Sequence, residues 1–125
     1  MHKRRGRRKT LGTAFWPSNR IEIYLKFWDR WLDVAHTVAH EIGHIIDFTH
    51  LSEEDRIRWR QARGFSSDYP WHGSRLRPDW KDPCGDFAEC FASQQLPEIE
   101  ATFSKPICAT TLKLLEELTR PQTQT

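Results

Sequence analysis

Apolar and polar positions first alternate along the chain and then change period. In RIEIYL, residues 20–25, Ile21, Ile23 and Leu25 fall on one side and Glu22 and Tyr24 on the other. A period of two predicts a short strand with one buried face. From about Arg30 the apolar positions recur at helical spacing. Val34, Val38, Ile42, Ile45 and Ile46 form a stripe that runs through about Phe48. Ser52 then offers an N-cap, Glu53, Glu54 and Asp55 fill the next turn, and Gly64 is a natural stop. Those signals predict a second helix of about eleven residues. Residues 64–82 mix Gly, Pro, Ser and aromatics and read as a long loop, a kind of segment that is often functional. Pro83 suits the first turn of a third helix, which Pro97 ends. A last helix is expected over residues 106–118. The pattern predicts an α+β fold, mostly helical, with a small β-sheet preceding the first long helix.

Composition adds limits. A chain of 125 residues with 38% hydrophobic and 29% charged residues suits one domain with a modest core. Six tryptophans supply much buried area per residue. Charge is uneven. Of 19 basic residues, six lie within residues 1–9, so the remainder carries 13 basic against 17 acidic residues, a net −4. Residues 1–13 read as a basic flexible arm, residues 14–120 as the domain and residues 121–125 as a polar tail. The arm (residues 1–9) has the composition to touch nucleic acid or another polyanion; a solvated chain end is the blander expectation. No apolar run reaches the ~18 residues of a membrane span, and no apolar segment follows the arm as a signal peptide would require. Three cysteines without a CxxC pair argue against a disulfide framework or a cysteine-rich zinc finger. A cytoplasmic location is the default expectation.

The chemistry concentrates in TVAHEIGHIIDFTH, residues 37–50. His40 and His44 are four apart, so on a helix they project from one face a turn apart. That spacing lets two imidazoles grip one Zn²⁺. Glu41 is rotated by about 100°, too far to bind comfortably and well placed to act on water beside the metal. This is the logic of HExxH: two ligands and a general base. Gly43 between them lets another element or a substrate pass close to the helix. Asp47 lies one turn beyond His44 on the same face. It is expected either to hold a ligand's ring N–H or to pair with an arginine.

AHEIGHIID, followed some forty residues later by DFAECFA, resembles the zincin metallopeptidases of the gluzincin type. It is similar to small actinobacterial and phage metallopeptidases and, more remotely, to lethal-factor-like catalytic domains and Pro-Pro endopeptidases. The resemblance covers roughly residues 20–95. It implies a minimal zincin-like domain and a zinc endopeptidase in which His40 and His44 bind Zn²⁺ and Glu41 is the base.

The third ligand stays open at this point. His50 sits where a metzincin's third histidine would, but Asp47 stands in place of the turning glycine and there is no Met-turn, since the only methionine is Met1. The lethal-factor-like pattern ExFAE would put a ligand at position 85, which is Gly85. Either Asp86 or Glu89 is then expected to take over, with the other orienting a histidine. Cys84 is a remoter candidate. The resemblance implies hydrolysis by a zinc-activated water on a protein or peptide substrate. A further donor would steady the oxyanion, with Tyr69 or His72 as the candidates. The strand at residues 20–25 would align an extended peptide. Trp71 and Trp80 are expected to pack in the core or loop rather than line the cleft. Two other readings stand beside this one: a catalytically silent, zinc-stabilised binding module, and a nucleic-acid-associated protein led by the basic arm.

Overall fold

The structure is a computed structural model and describes residues 11–15, 18–25, 30–73, 79–98 and 107–120. The basic segment 1–9 and the tail 121–125 lie outside the described residues. Among the described residues, two strands, β1 (Leu11–Phe15) and β2 (Arg20–Tyr24), precede four helices: α1 (Trp31–His50), α2 (Glu53–Arg63), α3 (Pro83–Gln95) and α4 (Ala109–Thr119). A 3₁₀ turn, Asp79–Lys81, sits ahead of α3. The expected α+β class, mostly helical with a small sheet ahead of the HExxH helix, is what the structure has.

β2 falls where the alternating pattern places it. Its partner was not foreseen. β1 begins at Leu11, inside the segment read as arm, and pairs antiparallel with β2, Ala14 opposite Ile21. LGTAF has no clear alternation, so only the pairing defines it. Gly12 lets β1 lie against α1. A Cβ there would meet the side chains of Ile23 and Thr37, each at 2.9 Å, and Glu41 at 3.1 Å.

α2 has the bounds that its caps predict. The Ser52 hydroxyl accepts from the Asp55 amide and the Asp55 carboxylate accepts from the Ser52 amide, a reciprocal capping box. Gly64 closes the helix in the left-handed conformation, φ 78°. α3 starts with Pro83 in its first turn as expected. The last helix starts at Ala109, later than the sequence suggests.

The hydrophobic core gathers Leu51, Trp59, Trp71, Cys84, Phe87, Cys90 and Leu115. Trp59 meets Phe87 edge to face, with ring centroids 5.2 Å apart. Trp71 thus packs in the core; of the side chain of Trp80 nothing is described. α3 is the hub. One side faces this core and the other lies along α1.

α1 does not bury the stripe that its apolar residues suggest. Its buried positions are Ala39, Glu41, Gly43 and Asp47. Val34, Val38 and Ile42 instead line an open groove with Trp31, Ala35, Ala39, Phe91 and Gln95. The reason is close contact with α3. A Cβ on Gly43 would come within 2.8 Å of the Ala88 Cα, so glycine allows the two helices to cross there. The element admitted by Gly43 is α3.

Candidate metal centre

The face of α1 opposite the apolar groove carries His36, His40 and His44, one per turn. His40 Nε2 and His44 Nε2 converge on one atom, Oδ2 of Asp79, at 2.8 and 2.9 Å. His40, His44 and Asp79 offer ligand atoms that all lie within 4.8 Å of one another. Two imidazoles and a carboxylate are a normal donor set for a three-ligand zinc site. The residues fit a divalent cation of that kind.

Asp79 comes from the 3₁₀ turn, and Gly85 explains how it gets there. A Cβ on Gly85 would run into the backbone carbonyl of Asp79 and lie 2.5 Å from its Oδ1. The position that looked like a lost ligand is therefore the space in which the turn carrying Asp79 rests. Sequence reasoning missed Asp79. The only local sign was a glycine where a carboxylate was expected, with an acidic residue in the loop just before it.

Glu89 takes a different place. Its Oε1 accepts from His40 Nδ1 at 2.8 Å, and its Oε2 accepts from His36 Nε2 at 3.0 Å. It sits behind His40, on the nitrogen away from Asp79. Glu89 is therefore placed to orient the His40 ring and lies outside the group of three. Asp86 is not at the site. It is fully buried on the core side of α3. There it accepts from Arg63 Nε and Nη2 at 2.8 and 3.0 Å and from Trp59 Nε1 at 3.2 Å. Three residues separate Asp86 from Glu89 on one helix, yet α3 lies between two layers and turns each to a different one.

Asp47 is also occupied elsewhere. Its carboxylate accepts from Arg56 Nε at 3.1 Å and Trp71 Nε1 at 2.9 Å, so the arginine pairing expected as one alternative is the observed one. His50 is the last residue of α1, exposed, and does not join the cluster. The Cys84 thiol is buried, with its pKa raised to about 12 by burial, and is likewise outside the cluster. Tyr69 packs on Phe65. The His72 ring lies against Phe48, which in turn stacks on His44, with centroids at 6.4 and 6.1 Å.

The electrostatics follow the geometry. Burial works against charge on His40, but carboxylates on both of its nitrogens outweigh that and raise its pKa to about 10. Burial would raise Asp79 and Glu89. Hydrogen bonds from His40 and His44 to Asp79, and from His36 and His40 to Glu89, hold both carboxyls well below the usual range instead. Glu41 is buried beside them. Burial raises its pKa, against the pull of His40 and His44 and a hydrogen bond from the Ala14 amide of β1. For Asp86, burial raises the pKa against the pull of Arg63 and Trp59, while Arg63 is held protonated. Two short hydrogen bonds to one guanidinium are the geometry of an ion pair.

No family model matches the chain. Comparison with curated proteins and with solved structures gives no match either. The zincin resemblance therefore rests on the residues alone. No helix among the described residues is long and apolar enough to cross a membrane.

Proposed function

We propose that the protein is a zinc-dependent endopeptidase whose metal is held by His40, His44 and Asp79 and whose general base is Glu41. The observation that carries this is the convergence of His40 Nε2 and His44 Nε2 on one oxygen of Asp79, with Glu41 beside them on the next face of the helix. A divalent cation in that donor set supplies Lewis acidity, which acidifies water and polarises a carbonyl.

The chain's own residues do the rest. Glu89 holds Nδ1 of His40, which leaves Nε2 as the nitrogen that would bind the metal. Glu41 accepts a proton from water on its carboxylate and returns it to the leaving amine. A carboxyl raised by burial has a basicity nearer neutral pH, as that role requires. The Ala14 amide of β1 bonds to Glu41, and this favours β1 as the strand beside which an extended peptide would lie. The free thiols of Cys84, Cys90 and Cys108 suit a reducing compartment, in keeping with a cytoplasmic protein.

A second reading has one observation in its favour. The rings of the two oxyanion-donor candidates pack on phenylalanines, Tyr69 on Phe65 and His72 on Phe48. A zinc-stabilised binding module would need no such donor. Glu41→Gln separates the two readings when zinc content and cleavage of a peptide library, read by mass spectrometry, are followed together. The peptidase reading expects wild type to cut and the variant to keep zinc but lose turnover by at least about 100-fold, the scale of general acid–base catalysis. A zinc-loaded wild type that cuts nothing in the library supports the binding module. The nucleic-acid reading rests on residues 1–9, outside the described residues.

A further inference from the structure

His36 is absorbed by no part of HExxH. It lies one helical turn before His40 and is the third imidazole of the stripe. Its side chain is 13% exposed, and that of Glu89 is 11% exposed. His36 Nε2 meets Oε2 of Glu89 at 3.0 Å, while its Nδ1 is buried with no hydrogen-bond partner among the described residues. An imidazole with a buried nitrogen left unpaired is an expensive space filler. What it obtains here is a single hydrogen bond, and that bond goes to the carboxylate that holds a metal ligand.

The geometry of Glu89 gives this bond a consequence. Glu89 has two oxygens and they are shared out, Oε1 to His40 Nδ1 at 2.8 Å and Oε2 to His36 Nε2. An ionised carboxylate only accepts, so both ring nitrogens donate. His40 then carries a proton on Nδ1 and turns Nε2 outward, the arrangement a metal needs. A carboxylate tethered at one oxygen only can swing about its last side-chain torsion, which is soft. The second tether stops that swing.

We infer that His36 is a positioning residue of the metal centre. By taking Oε2 of Glu89 it fixes Oε1 on Nδ1 of His40, and so raises the zinc affinity of a histidine it acts on through Glu89. The inference rests on the metal-centre reading proposed above and adds to it a control over how tightly the metal is kept.

The test is a zinc affinity series on the full chain, by competition with a chromophoric chelator. The variants are His36→Ala, His36→Phe, His36→Gln, Glu89→Gln and the double variant His36→Ala with Glu89→Gln. Glu89→Gln is expected to weaken zinc binding by about 10- to 100-fold, the usual range for an orienting partner. His36→Ala and His36→Phe, the latter filling the ring's space without a donor, are expected to lose about 5- to 10-fold, less than the loss of the orienting carboxylate itself. His36→Gln, which can still donate to Oε2, should recover most of the loss. The double variant should bind no more weakly than Glu89→Gln alone, because His36 acts only through Glu89. Phe keeps the series readable where Ala leaves too large a hole. Wild-type affinity in both His36→Ala and His36→Phe would overturn the inference while leaving the metal centre intact. So would a loss in the double variant equal to the product of the single losses. A wild-type chain that takes up no zinc would overturn the inference and the metal centre together.

Discussion

Carboxylates on the two sides of α3 have different partners. On the core side Asp86 accepts from Arg63 and the Trp59 indole, and Asp47 on α1 accepts from Arg56 and the Trp71 indole. Each of these carboxylates is fully buried and takes one guanidinium and one indole N–H. On the other side Glu89 accepts from His36 and His40, and Asp79 from His40 and His44. Arginine and indole can only donate, at any ordinary pH. They tie helices together and offer a metal nothing. An imidazole can give up the proton it donates and present a lone pair in its place. The partner, more than the carboxylate, decides which region is a brace and which is a site.

The comparison can be broken from the brace side first. Asp86→Ala would leave Arg63 buried, at 3% exposure, with its main partner gone. Breaking a buried pair in that way costs about 3–5 kcal/mol. Asp79→Ala removes a half-exposed carboxylate and should cost only about 1 kcal/mol in chelator-treated protein. Urea unfolding of the two variants side by side checks the contrast; equal losses would erase it.

Gly85→Ala falls between these. The added methyl meets the Asp79 backbone and should cost about 1–3 kcal/mol as overpacking. Unlike a purely structural defect, it should also weaken zinc binding by displacing Asp79, the proposed third ligand. Zinc affinity unchanged in a destabilised Gly85→Ala would separate the turn from the metal.

pH gives a subtler test. The raised pKa of His40 stabilises chelator-treated protein fully below its ordinary value near 6.5, and that contribution fades as pH rises through about 10. The lowered pKa values of Asp79 and Glu89 act in the other direction. Their contribution is present above about pH 4 and is lost as the solution is made more acidic. Between these limits His40 is protonated, so zinc uptake must displace its Nε2 proton. Calorimetry at pH 7 in buffers of different ionisation enthalpy should show about one proton released per zinc, and affinity should rise with pH. Uptake without proton release would contradict the doubly paired His40.

What could be read from the sequence was local. The α2 bounds follow from Ser52, Asp55 and Gly64, all within one short segment. The shared face of His40 and His44 follows from helical spacing alone. The features that were missed depend on packing between distant segments. Asp79 becomes a ligand candidate only because Gly85 leaves room for its turn. Asp47 shares a helix face with the histidines, yet Arg56 and Trp71 claim its carboxylate. Val34, Val38 and Ile42 make a convincing apolar stripe, but α3 crosses α1 at Gly43, which has no Cβ to keep it away. β1 exists because β2 needs a partner, which LGTAF does not announce.

The most direct measurement is zinc per chain by elemental analysis on untagged protein, comparing wild type with Asp79→Ala and Asp86→Asn, each shown to be folded by circular dichroism. The account predicts about one zinc in wild type and in Asp86→Asn, in line with a single three-ligand site, and little in Asp79→Ala. Zinc retained by Asp79→Ala and lost from folded Asp86→Asn would contradict it, and would return the third ligand to the core side of α3.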